Sequence, residues 1–309
     1  MLEIFLKTLP FFLLIGTGWL AGRGGFFPPQ ATAWLTKFVF YFALPAMLFR
    51  FAATLDLAEL FDPQFVLAYL AGSLTLWALA FGAARLRAEP LPAAAMQAHA
   101  AITGNTGFLG VPMLVVLLGP GAVGPVLMVL TIDMLVFSSL ITLIVAAAGR
   151  GRISFASLLP LGRGLVANPM IVSMLAGLLW SGLALPLPGP ARDYMAILGG
   201  AATPGALFAI GASLTGRRAD RLGPALGLSA AKLVLHPLAV GIAALWFFDV
   251  EPFAAGAMIA AASLPVAGNV YILAQHFGLA VQRVSAAVLI STAASIATVP
   301  VVIHWITKG

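Results

Sequence analysis

Residues 100–112 read Ala100-Ala101-Ile102-Thr103-Gly104-Asn105-Thr106-Gly107-Phe108-Leu109-Gly110-Val111-Pro112, and residues 263–271 read Ser263-Leu264-Pro265-Val266-Ala267-Gly268-Asn269-Val270-Tyr271. Each stretch places Gly, Asn and Pro inside an apolar run long enough to span a bilayer. Pro removes a backbone donor and crowds the preceding turn, while Gly lets another backbone approach closely. In hydrocarbon, N–H and C=O groups freed in this way are tolerated only against protein or a water-filled cavity. Interrupted segments at corresponding points of two halves point to the binding site of a secondary transporter.

The rest of the 309-residue chain agrees with a membrane setting. Hydrophobic residues make up 61% and charged residues 8%, where a soluble domain carries about 25% charged residues. The chain reads as an all-α polytopic membrane protein, with the lipid bilayer as its first partner. The net charge of +6 does not imply a nucleic-acid partner, because the basic residues fall in short loops between apolar runs. With no cysteine, disulfides, iron–sulfur clusters and thiolate metal sites are excluded. Glu3 and Lys7 lead straight into the first apolar run, so no cleavable signal peptide is expected.

Ten transmembrane helices are expected, at 4–22, 31–51, 63–85, 92–118, 122–148, 165–184, 194–215, 222–248, 252–277 and 283–306. Each is close to or above the ~20 residues that cross the hydrocarbon core. The loops after odd-numbered spans hold Arg23, Arg85, Arg87, Arg150, Arg152, Arg163, Arg217, Arg218, Arg221 and Arg283; the opposite side holds Lys7, Arg50, Arg192 and Lys308. Positive charge collects on the cytoplasmic side, so both termini are expected outside the cytoplasm and the chain in the inner (plasma) membrane. Five spans per half is an odd number, and two such halves insert with opposite orientation as an inverted repeat. The halves are 1–148 and 164–309, joined by a cytoplasmic loop at 149–163. Broken spans four and nine then hold equivalent places, with Asn105 and Asn269 separated by 164 positions (269 − 105).

The candidate substrate ligands cluster at these breaks: Asn105, Thr106, Gly107 and Pro112 in one, Pro265, Gly268, Asn269 and Tyr271 in the other. Either the two carboxamides hydrogen-bond a substrate carboxylate beside half-helix N-termini, which suit an anion, or they satisfy backbone groups that Gly and Pro set free. Thr103 and Ser263 carry hydroxyls that serve either purpose. A second set is ionisable and intramembrane: Asp133 in span five, Lys232 and His236 in span eight, and His99 ahead of the first break. A mid-bilayer charge costs at least ~2.5–3.5 kcal/mol and usually faces a cavity or a partner. These four are candidates for proton coupling or charge balance. The structural alternatives are an Asp133–Lys232 pair between the halves, or Lys232 reaching to the membrane edge.

No HExxH, GxSxG or Walker A pattern occurs, and no metal-ligand spacing is present. No enzyme activity, cofactor or metal is therefore expected. The open functional readings are a carrier, proton-coupled, uncoupled or sodium-coupled, and a membrane-embedded anion sensor.

Gly104-Asn105-Thr106-Gly107-Phe108-Leu109-Gly110-Val111-Pro112 resembles the span-four signature of the auxin efflux carrier family, and Pro265-Val266-Ala267-Gly268-Asn269-Val270-Tyr271-Ile272-Leu273-Ala274 resembles its span-nine signature. Asn168-Pro169, Gly211 to Leu214 and Lys232 to Pro237 look like further family positions. The resemblance implies a fold similar to that of the bile-acid sodium symporters, with helices four and nine crossing at the site. It implies a scaffold of spans 1, 2, 6 and 7 and a transport domain of spans 3–5 and 8–10 that moves as an elevator. It also implies a small organic anion such as malate or malonate as substrate, Asn105 and Asn269 as its ligands, and a homodimer. The long hydrophilic central loop of the large plant carriers is missing here, so its regulation is not implied.

Overall fold

The computed structural model describes residues 2–55, 62–150, 167–215 and 222–308. Most of the expected 149–163 loop, and the charged residues Asp56, Glu59, Arg217, Arg218 and Arg221, lie outside them.

The chain opens with α1 (Leu2–Arg23). α2 (Pro29–Phe38) passes through a π-helical turn, Val39–Ala43, into α3 (Leu44–Ala52). α4 (Pro63–Leu86) follows. α5 (Leu91–Ile102) stops at the first interruption, after which a π-helical turn, Thr106–Gly110, starts α6 (Val111–Leu118). α7 (Val123–Ile132) continues through the π-helical turn Asp133–Phe137 into α8 (Ser138–Arg150). Then come α9 (Pro169–Gly182), α10 (Gly189–Gly200) and α11 (Ala202–Ser213). α12 (Leu222–Ala230) runs through the π-helical turn Ala231–Leu235 into α13 (His236–Ile242). α14 (Pro252–Ala262) stops at the second interruption, and α15 (Gly268–Phe277) and α16 (Val281–Lys308) close the chain.

The starts and stops follow local chemistry. Pro63, Pro169 and Pro252 each begin a helix, where a missing N–H costs little. The residue before each Pro caps the orphan amides: Asp62 accepts from Gln64 N at 2.8 Å, Asn168 from Met170 N at 3.0 Å, and Glu251 from Phe253 and Ala254 N at 3.0 and 2.8 Å. α15 ends on Gly278 at φ +67°, the left-handed conformation that glycine supplies at a helix end.

Among the described residues, seven stretches are long and apolar enough to cross a membrane: Leu2–Arg23, Pro29–Ala52, Pro63–Leu86, Pro120–Ala148, Gly189–Ser213, Gly223–Phe247 and Val281–Lys308. The expected fourth and ninth spans are missing from that count because they are broken, and the sixth because its described part, Pro169–Gly182, is short. Among the described residues no β-strand occurs; the only extended pairing is an isolated bridge between the two interruptions. Large apolar side chains face outward, Leu79 and Ile197 among them, with Trp246 80% exposed. A soluble protein does not expose apolar surface on this scale; here lipid covers it.

Small residues set the helix separations. A Cβ on Gly18 of α1 would overlap the Phe208 carbonyl of α11, and one on Gly211 of α11 would overlap the Ile15 carbonyl of α1. Gly177 of α9 stands in the same relation to Phe49 O of α3 at 2.6 Å, and Gly72 of α4 to Cα of Val240 in α13 at 2.7 Å. With lipid as apolar as Leu, such backbone-to-backbone packing is a main source of helix association.

Gly211→Val is therefore expected to destabilise the protein by roughly 1–3 kcal/mol or to prevent folding, as overpacking does. Gly16→Ala, where nothing lies within 4 Å of the new Cβ, is expected to leave the detergent melting temperature unchanged.

Candidate functional site

The two interruptions meet. Gly104 and Val266 form an antiparallel bridge. Asn105 N donates to Pro265 O at 2.9 Å, and Ala267 N donates to Thr103 O at 3.1 Å. Several other freed groups are matched as well. The Asn105 carbonyl accepts from Leu109 and Gly110 N at 3.0 and 2.9 Å. Val266 N donates to Ser291 Oγ of α16 at 3.0 Å. The Ala262 carbonyl, the last of α14, accepts from Lys232 Nζ. An unpaired buried backbone group costs as much as a lost hydrogen bond, and more in hydrocarbon. Each break therefore supplies partners to the other, and Ser291 and Lys232 supply more.

Asn105 is 5% exposed and its side chain makes no capping hydrogen bond, and Asn269 lies in the first turn of α15. Their surroundings differ, however: Asn105 is buried while Asn269 is exposed. Thr106 is buried at the start of the π-helical turn, and its Oγ1 has no partner among the described residues. Gly107 is close to α9: a Cβ there would sit 2.7 Å from Met170 Cε. Pro112 and Pro265 are buried, and Gly268 and Tyr271 half-buried. Ser263 Oγ folds back and donates to Ala260 O at 2.7 Å.

Behind the bridge lies a buried polar cluster. Tyr69 of α4 donates its hydroxyl to Asp133 Oδ1 at 2.8 Å. Four residues on, Ser73 Oγ is 2.9 Å from His236 Nε2. Tyr69 and His236 also meet edge to face, with ring centroids 5.9 Å apart. Lys232 is 0% exposed, so it does not reach the membrane edge. Among the described residues the ion pairs are Glu3–Lys7 and Glu89–Arg283, and Asp133 with Lys232 is not one of them. His99 Nδ1 is 3.2 Å from Thr103 Oγ1, one turn further along α5. Asp133 Oδ2 and His236 Nδ1 are buried without a hydrogen-bond partner among the described residues. The structure thus brings Asp133, Lys232 and His236 together, while His99 sits beside the first break. Asp133 and Lys232 both lie in π-helical turns, a departure from α-geometry that is frequent at functional sites.

Tyr69, Ser73 and Ser291 were not singled out from sequence. A signal for the first two exists. Ser73 and His236 are 163 positions apart, and so are Tyr69 and Lys232 (232 − 69). That offset nearly equals the one between the asparagines, 164 positions.

The family described as membrane transport protein matches residues 3–303. A protein of Rhizobium meliloti (strain 1021) named "Putative malonate transporter" is 33% identical over 312 aligned residues, which cover 100% of this chain and 98% of that relative. The chain belongs to the membrane transport protein family, in agreement with the resemblance carried by residues 104–112 and 265–274, and is a multi-pass membrane protein.

Ser291→Ala leaves the Val266 amide without its hydroxyl partner and is expected to cost about 1–3 kcal/mol, read as a lower melting temperature. Tyr69→Phe, which strips Asp133 of its hydrogen bond, is expected to cost a similar amount, about 1–3 kcal/mol.

Proposed function

We propose that this protein is a secondary carrier of a small organic anion, not an enzyme, and that the anion binds where the two interruptions meet. The observation that carries the reading is the Gly104–Val266 bridge. It brings the N-terminal ends of Thr106–Leu118 and Gly268–Phe277 to one place. Helix N-termini present free N–H groups and positive partial charge to an anion. Asn105, with its carboxamide uncommitted to any cap, and Thr106, with an unpaired hydroxyl, add donors beside one of them. The name of the Rhizobium relative favours malonate or a similar short carboxylic acid as the substrate.

Elevator movement is the mechanism we adopt. α1–α3 and α9–α11 form the scaffold, and α4–α8 and α12–α16 the transport domain. In support, the close glycine contacts at Gly18, Gly211, Gly177 and Gly72 each fall within one of these groups. The bridge, the Tyr69–Asp133 bond and the Ser73–His236 bond all fall within the second. Across the boundary lie Met170 against Gly107 and Met174 Sδ 3.3 Å from Thr131 Oγ1, and flexible thioethers tolerate re-packing. On this reading residues 1–148 and 164–309 are inverted repeats joined by a cytoplasmic 149–163 loop. The protein sits in the inner membrane with both termini outside, and two copies pair through their scaffolds.

The test is uptake of labelled malonate and malate into proteoliposomes, comparing native protein with Asn105→Ala. Saturable uptake is expected, falling by about tenfold or more in the variant, equivalent to at least ~1.4 kcal/mol, with an unchanged melting temperature. Uptake by the variant at the native rate overturns the placement of the site.

A further inference from the structure

We propose that the groove between α13 and α16 is a binding site for one phospholipid: an acyl chain lies in the groove and the phosphate meets Lys308. The inference rests on the membrane setting alone and is independent of the carrier reading.

α12 and α16 meet near their starts, where Ser229 Oγ donates to Ala287 O at 3.3 Å. Further along in both, residues 233–246 and 297–305 line a groove of about 640 Å³. The features that bend membrane helices mark this region: π-helical turns at Ala231–Leu235 and Ala243–Phe247, Pro237 in α13 and Pro300 in α16. Small residues leave the space open. Gly241 and Ala297 both line it. A Cβ on Gly241 would meet Ile259 of α14 at 3.3 Å, but nothing of α16 within 4 Å. Leu233 and Ile259, both buried, form the floor.

The occupant follows from the walls, the depth and the mouth. No charged side chain lines the groove, so it suits hydrocarbon and not an organic anion. At ~1.5 Å per residue it runs ~12 Å along α16, from Ala297 to Trp305, and ~20 Å along the other wall, from Leu233 to Trp246. Half of a ~30 Å hydrocarbon core is ~15 Å, so the depth matches the chain of a single leaflet. Trp246 and Trp305 lie 17 and 18 residues beyond the Ser229–Ala287 contact (246 − 229, 305 − 287), hence at one level. Trp gathers at the headgroup boundary. Lys308, exposed, ends α16 one turn past Trp305 on the same helix face, and an ammonium there complements a phosphate. A chain in the groove supplies the apolar contacts that Gly241 and Ala297 leave unmade. It also packs on Ile259, three residues before α14 ends at the joint (262 − 259).

The experiment is native mass spectrometry of delipidated protein in mild detergent with dioleoyl phosphatidylglycerol added, beside melting curves in the same mixtures. The native protein is expected to keep one phosphatidylglycerol after bulk lipid is stripped. Its melting temperature is expected to rise and level off as the lipid is added, since a ligand that binds only the folded state stabilises it. Ala297→Phe, which fills the groove, is expected to weaken retention about tenfold or more. Leu79→Trp, on the exposed apolar surface of α4, is expected to keep the lipid as the native protein does. Lys308→Gln is expected to weaken retention of phosphatidylglycerol and to leave that of uncharged dioleoylglycerol unchanged. Native protein that keeps no lipid, native-level retention by Ala297→Phe, or equal losses in Ala297→Phe and Leu79→Trp indicates a fluid lipid shell only and overturns the proposal. Native-level retention of phosphatidylglycerol by Lys308→Gln overturns the phosphate contact. If Ala297→Phe does not fold, the native titration decides: a melting temperature that ignores the lipid, or rises without levelling off, overturns the site.

Discussion

Two backbone hydrogen bonds, Asn105 N to Pro265 O and Ala267 N to Thr103 O, are the constraint on which the centre of this protein depends. Each unsatisfied backbone group in the bilayer core costs several kcal/mol, so neither interruption is tolerable alone. Paired, they form the one extended element among the described residues, and they fix the ends of four half-helices relative to one another. Ser291 and Lys232 complete the pairing from α16 and from the π-helical turn before α13. A local defect in α5–α6 and another in α14–α15 thereby become one joint.

The joint is polarised. Helix C-termini at Ile102 and Ala262 and helix N-termini at Thr106 and Gly268 converge there. The N-terminal ends favour an anion and the C-terminal ends a cation. Lys232 stands at the Ala262 end, and Asp133, Tyr69, Ser73 and His236 extend the polar cluster into the bundle. The glycine contacts at the periphery, Gly18 with α11, Gly211 with α1 and Gly177 with α3, hold the surrounding helices at backbone distance without polar side chains. Polarity is thus concentrated at the joint, and lipid-facing surfaces remain apolar.

Much of this was legible in the sequence. The expected spans at 63–85 and 283–306 match helices Pro63–Leu86 and Val281–Lys308 to within a few residues, because long apolar runs bounded by Asp62-Pro63 or Gly278 leave little choice. The two breaks were legible because Gly, Asn and Pro inside apolar runs conflict with a continuous membrane helix. That the breaks bond to each other was not, since no residue letter encodes a backbone pairing across 162 positions (266 − 104). Among side chains, Asp133, Lys232 and His236 stood out as ionisable groups in hydrocarbon. Ser73 did not, because a Ser or Thr hydroxyl in a membrane helix normally satisfies itself on its own backbone, as Thr75 does on Ala71 O at 2.7 Å, and Tyr69 did not, because an uncharged phenol among apolar residues reads as ordinary membrane-helix material. The symmetry of the asparagines suggested matching environments, yet Asn105 is buried and Asn269 is exposed. Their equivalence in sequence position does not carry over to packing.

That difference leads to the most direct measurement of the central claim, that the joint faces an aqueous anion site. The chain has no cysteine, so Asn269→Cys introduces a single thiol at the exposed asparagine. The account predicts that a membrane-impermeant, charged maleimide labels this thiol in reconstituted protein and that malonate slows the labelling in a saturable way. A thiol that the charged reagent cannot reach, or one whose labelling malonate leaves unchanged, would place Asn269 outside the site and contradict the account.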